Sequence, residues 1–137
     1  MKRVKLMIIT FVWMLTTTSV SANGVDALGA GSWDYVGSDV FTKESRVFKS
    51  GGGDFKICIS KDSRPGTYWL NEDDPIEDDW VLPPLQYYGG GFPNGDFDSK
   101  GCYVYRDIGG FVDGRDNQAE FKLTKDTRGN STVRAWD

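Results

Sequence analysis

Carboxylates supply most of the acid–base and metal-binding chemistry that this sequence can offer. The chain contains 20 Asp and Glu residues and no histidine. Without histidine, the Ser-His-Asp triad, the Cys-His pair and every metal site built on imidazole are excluded. Paired carboxylates can still hydrolyse a glycosidic bond. The candidates for that reaction are Glu72, Glu77 and Glu120, and the many aspartates that could pair with them make the pattern unspecific.

The densest group of acids runs from Glu72 to Asp79, where six of the eight residues are acidic. Such a run repels itself unless solvent or a cation screens it, and calcium takes six to eight oxygen ligands. A second group lies at 94–98, but Ser99 stands where an EF-hand loop needs glycine, which excludes an EF-hand. A solvated acidic loop without an ion is the alternative. The predicted calcium ligands are Glu72, Asp73, Asp74, Asp78, Asp96 and Asp98.

Three aromatic residues lie in the least regular part of the chain, residues 71–101, which also holds the acids and several Pro and Gly residues. They are Trp80, Tyr87 and Tyr88. Long irregular segments on a rigid scaffold are often functional. Exposed aromatic rings beside Asp and Asn suit binding to a sugar ring or to the apolar patch of a protein. The alternative is that these rings pack beneath the loop.

Short alternating segments between turn signals predict the elements that must position these groups. In the clearest strand, Phe55, Ile57 and Ile59 point to one side and the intervening residues point to the other. Seven or eight such strands predict an all-β, single-domain antiparallel β-sandwich or jelly roll, with a small barrel as the alternative. The predicted strands cover residues 33–36, 46–49, 54–60, 67–70, 80–82, 102–107, 119–124 and 132–136.

The first 22 residues have the pattern of a secretory signal peptide. Basic residues at 2, 3 and 5 precede an apolar run at 6–15, and a small-residue tail ends in Val20-Ser21-Ala22. We therefore expect a signal peptide at 1–22, a flexible arm at 23–32 and the β-sandwich domain at 33–137. Cleavage would remove three basic residues and change the net charge from −4 to −7. Such an acidic protein does not favour nucleic acid as a partner, and nothing in the pattern indicates a membrane anchor.

Cys58 and Cys102 are the two cysteines of the chain. An even number of cysteines in an exported protein predicts a disulfide, since free thiols persist poorly in an oxidising compartment. Two buried free thiols are the alternative.

Three functions fit these patterns. The first is a secreted, extracellular, non-catalytic binding module that recognises a protein or a surface polysaccharide through loop aromatics and acids, assisted by calcium. The second is a carboxylate-based glycan hydrolase. The third is a structural or defensive secreted or envelope protein, for which no discrete ligand site is expected.

Overall fold

The computed structural model describes residues 32–75, 77–113 and 115–137. The predicted signal peptide at 1–22 lies outside this part of the chain, and so does the predicted arm at 23–32 except for its last residue. Eight strands and one short 3-10 helix make up the described fold. They are β1 (Tyr35–Phe41), β2 (Phe48–Ser50), β3 (Phe55–Ile59), β4 (Gly66–Glu72), β5 (Asp79–Tyr87), β6 (Cys102–Tyr105), η1 (Ile108–Phe111), β7 (Ala119–Lys125) and β8 (Ser131–Trp136).

The strands form two antiparallel sheets of four strands, which confirms the predicted all-β sandwich. Sheet I has the order β1-β8-β3-β6, and sheet II has the order β2-β7-β4-β5. Their inner faces share one hydrophobic core, in which the ring centroids of Phe55 from sheet I and Phe121 from sheet II lie 4.9 Å apart. The outer face of each sheet is therefore left to present side chains to a ligand.

The clearest predicted strand has the predicted sidedness. Phe55, Ile57 and Ile59 of β3 are buried, whereas Lys56 and Cys58 point away from the core. The same alternation in β7 buries Phe121 and Leu123. Strict alternation over five or more residues was thus enough to assign inner and outer faces in these two strands.

Strand β5 corrects the prediction for the irregular segment. It covers Asp79–Tyr87, whereas the sequence predicted a strand only over 80–82. Pro83 and Pro84 obscure the pattern, because proline has no N–H for a sheet ladder. The structure accommodates them because β5 is an edge strand of sheet II, where the register between Tyr68 and Leu70 of the neighbouring β4 is also irregular.

The predicted disulfide is present between Cys58 and Cys102. The two residues stand directly opposite each other in the β3–β6 pair, and β6 is the four-residue edge strand of sheet I. The bridge therefore attaches a short edge strand to the centre of its sheet. Within the described residues, the structure contains no helix with the length and apolarity needed to cross a membrane.

Candidate functional site

Two tryptophans form a pair on the outer side of sheet II. Trp69 lies between the buried Tyr68 and Leu70 in β4, and Trp80 precedes the buried Val81 in β5, so alternation turns both indoles outward. Their ring centroids are 6.4 Å apart and their planes are inclined by 42°. Trp80 is 64% exposed, and Leu82 is exposed as well. We call the surface around Trp69, Trp80 and Leu82 the aromatic face.

Amide and hydroxyl groups border the aromatic face. Asn71 pairs in register with Trp80, and Trp69 pairs in register with Thr124. The side-chain amide of Asn71 donates a hydrogen bond of 2.8 Å to the Thr124 hydroxyl. A few polar groups at fixed positions beside a large apolar surface are the usual composition of a ligand site.

The three aromatic residues predicted to bind a ligand occupy different environments. Trp80 belongs to the aromatic face, and Tyr88 is exposed just beyond the end of β5. Tyr87 is only 1% exposed, and its hydroxyl donates a 2.8 Å hydrogen bond to the carbonyl oxygen of Lys61. The alternative given for these rings therefore applies to Tyr87, because its position in β5 turns it toward the core.

Trp69 was not among the predicted binding residues. It lies in a strand whose inner face is apolar at Tyr68 and Leu70, so period-two alternation assigns it to the outer face. What the sequence did not provide was the pairing of β4 with β5, which brings the Trp80 ring to that of Trp69.

Lys122 gathers two of the predicted calcium ligands on the outer side of β7. Its ammonium nitrogen lies 2.7 Å from an Asp73 oxygen, 2.8 Å from Asp78 and 3.7 Å from Glu44. The Lys122 side chain is only 11% exposed. The hydrogen bonds that Lys122 donates to Asp73 and to Asp78 raise the pKa of Lys122 above its ordinary value. Asp73 and Asp78 thus already have a cationic partner within the chain.

Glu72 and Asp74 lie close to a third acid, which was not among the predicted calcium ligands. Carboxylate oxygens of Glu72, Asp74 and Asp113 all lie within 4.8 Å of one another. We call these three residues the acidic triad. Glu72 is 2% exposed, and burial, followed by the charges of Asp74 and Asp113, raises its pKa to about 7. Among the described residues, the acidic triad is therefore the group of carboxylates best placed to hold a cation.

The other two predicted calcium ligands form backbone contacts of their own. Asp96 accepts a 2.7 Å hydrogen bond from the backbone N–H of Gln86. One Asp98 oxygen accepts hydrogen bonds from the backbone N–H groups of Lys100, at 2.8 Å, and Cys102, at 2.9 Å. These contacts hold the turn that leads into β6, and neither residue belongs to the acidic triad.

A second aromatic cluster lies on the outer face of sheet I. The ammonium nitrogen of Lys56 is 4.2 Å from the ring centroid of Trp33 and 4.8 Å from that of Trp136. Tyr35 contacts Trp136 edge-on, with centroids 5.6 Å apart. Here a lysine already covers two of the rings, which distinguishes this cluster from the Trp69–Trp80 pair.

Comparison with known proteins connects this chain to one family. A family model described as YndA coiled coil domain matches residues 35–135. A protein of Bacillus subtilis (strain 168), described as uncharacterized protein YndA, is 35% identical over 121 residues, which are 87% of this chain and 84% of that protein. No solved structure matches this chain. The description names a coiled coil, whereas the described residues of the matched segment form β-strands and one short 3-10 helix.

Proposed function

We propose that this chain, which belongs to the YndA coiled coil domain family, is an exported, non-catalytic binding module whose ligand is a surface polysaccharide. The observation that carries the proposal is the Trp69–Trp80 pair on the outer face of sheet II. The signal-peptide pattern at 1–22 and the disulfide support export, because disulfides form and persist in oxidising compartments.

The composition of the aromatic face favours a polysaccharide over a protein partner. The two indoles offer flat apolar surfaces on neighbouring strands, against which the C–H side of a sugar ring can pack. Thr124 lies beside them, and its hydroxyl, which accepts a hydrogen bond from the buried Asn71, can also bond to a sugar hydroxyl. A protein partner remains the alternative and would bury Leu82 together with the indoles.

Replacing Trp80 with alanine should weaken polysaccharide binding about tenfold, and the Trp69→Ala, Trp80→Ala double variant should weaken it further, because each indole supplies contact area with few rotamers to immobilise. The measurement is an array of purified cell-surface polysaccharides, followed by calorimetric titration with the polysaccharide that binds best. Tyr35→Ala, on the outer face of sheet I, is the matched control and should keep the affinity of the unmodified protein.

Unchanged affinity of the double variant would exclude the aromatic face as the binding surface. Binding that is lost in Tyr35→Ala but kept in Trp80→Ala would move the site to sheet I. If no polysaccharide on the array is retained while a purified protein binds through Trp80, the ligand class in the proposal is wrong and the binding face is right.

Calcium is the ion that we propose to assist this binding. The acidic triad lies at the end of β4, and its residue Glu72 directly follows Asn71, which pairs with Trp80. An ion there would act on the edge of the aromatic face.

A glycan hydrolase is the second candidate, and one observation favours it. A carboxyl group with a pKa of about 7, as in Glu72, can act as a general acid near neutral pH. Glu120, another candidate, lies 3.2 Å from the ammonium nitrogen of Lys49 in a surface ion pair. A screen of oligosaccharide substrates with the single variants Glu72→Gln, Glu77→Gln and Glu120→Gln decides the matter, since activity that is absent throughout, or equal in every variant, removes this candidate.

A further inference from the structure

Glu72 is a buried carboxyl group for which the described part of the chain offers no partner of opposite charge. It is the last residue of β4 and is 2% exposed. Among the described residues, no N–H or O–H group donates a hydrogen bond to its carboxylate, and its oxygen lies within 4.8 Å of oxygens of Asp74 and Asp113. Burying a charge in this way is costly unless a cation or a proton compensates it.

The charges around Glu72 make the need for a cation stronger. Carboxylate oxygens of Asp74 and Asp113 lie within 4.8 Å of its own, and Asp79 pairs with it across β4 and β5. The ammonium group of Lys122, on the neighbouring strand β7, does not offset these negative charges, because it is paired with Asp73 at 2.7 Å and with Asp78 at 2.8 Å. Negative potential is therefore concentrated at the point where the Glu72 side chain meets Asp74 and Asp113.

The ligand chemistry of the acidic triad suits calcium better than magnesium. Calcium accepts six to eight oxygen ligands in flexible geometry, whereas magnesium demands near-octahedral geometry and releases its waters reluctantly. The oxygens of the triad lie within 4.8 Å of one another. Three carboxylates, with waters on the open side, satisfy the oxygen preference of calcium.

We propose that Glu72, Asp74 and Asp113 form a calcium site that joins the end of β4 to the loop between η1 and β7. Asp113 pairs with Gln118 just before β7, so its loop is already anchored at one end. The bound ion fixes the end of β4, where Asn71 pairs with Trp80. The effect on ligand binding rests on the proposed function, but the affinity for calcium does not.

The test uses the full chain and calcium alone. At about 10 mM calcium and a Kd of about 10⁻⁴ to 10⁻³ M, binding to the native state should raise Tm by roughly 5 to 15 °C over the value in chelator. The same concentration of magnesium should give a clearly smaller rise. Glu72→Gln and Asp113→Asn should each abolish most of the calcium shift, whereas Asp62→Asn, an exposed acid in the turn after β3, should retain it.

The two variants separate loss of the site from loss of folding. In chelator, the Tm of Glu72→Gln should be no lower than that of the unmodified protein, since the change removes an uncompensated charge. Asp113 is exposed, so Asp113→Asn tests the site without altering the core. An equal Tm in calcium and chelator overturns the proposal. A calcium shift that persists in both variants overturns it as well, because the ion would then bind elsewhere.

Polysaccharide affinity, measured with calcium and with chelator, distinguishes this proposal from the proposed function. If Tm rises with calcium but no polysaccharide binds, the metal site stands and the proposed function fails. If a polysaccharide binds through Trp80 equally well in chelator while the calcium shift is absent, the proposed function stands and the metal site fails.

Discussion

Removing the Cys58–Cys102 disulfide should lower the free energy of unfolding by about 4 kcal/mol, the largest single effect that we expect in this protein. The bridge spans 44 positions, and in the chain-entropy model a loop of this size restricts the unfolded chain by about that amount. For a domain of about 100 residues, the loss corresponds to a fall in Tm of roughly 15 to 30 °C. The measurement is urea unfolding of the Cys58→Ala, Cys102→Ala variant.

The position of the disulfide explains why the native state also depends on it. Strand β6 has four residues and pairs with one neighbour, β3. Without the bridge, this edge strand depends on the β3–β6 ladder, the buried Tyr105 and the hydrogen bond from the Cys102 N–H to Asp98. The unmodified protein in a reducing agent should resemble the variant, which controls for the alanine substitutions. A loss below about 1 kcal/mol in both experiments would contradict the prediction and indicate that the unfolded chain is already compact around β3 and β6.

Local alternation was sufficient to predict the scaffold of this protein. In β3 and β7 the core positions follow a period of two without interruption, and the structure buries the residues so predicted. Strand β5 could not be predicted over its full length, because the effect of Pro83 and Pro84 depends on whether the strand is central or at an edge. That is a property of the sheet, which a single segment does not encode.

The sequence was enough to predict the acidic chemistry of the candidate site but not which residues form it. The run from Glu72 to Asp79 predicted a concentration of negative charge. Which acids converge depends on contacts distant in sequence, since Asp113 approaches from the loop before β7 and Lys122 from β7 itself. Adjacent residues such as Glu72 and Asp73 consequently have different surroundings, one among carboxylates and the other at an ammonium group.

Replacing Lys122 with methionine should lower the free energy of unfolding by about 2 kcal/mol. Methionine keeps most of the apolar stem but removes the charge that holds Asp73 and Asp78 at 2.7 and 2.8 Å, so these carboxylates would repel each other and the nearby acidic triad. Removing one partner of a fully buried ion pair lowers the free energy of unfolding by more than this. Here the effect is smaller because Asp73 and Asp78 are 40% exposed and water partly screens their charges.

The pH dependence of this effect has a definite sign. The pKa of Lys122 is raised in the folded state, so its contribution is complete below the pKa of an unfolded lysine and is lost only as pH rises through the folded value. Unfolding at pH 7 therefore measures the whole effect, and the difference between Lys122→Met and the unmodified protein should narrow in strongly alkaline solution.

Lys49→Met is the matched control, because Lys49 also contacts two acids, at 2.7 Å and 3.2 Å, on the same sheet but is 54% exposed. Exposed ion pairs contribute little, so this variant should lose far less stability than Lys122→Met. Equal losses would show that burial of Lys122 does not strengthen its contacts. If only Lys122→Met loses stability and calcium partly restores it, the Lys122 ion pairs and the acidic triad act on each other. An ion at the triad would then reduce the repulsion between carboxylates that Lys122 no longer offsets.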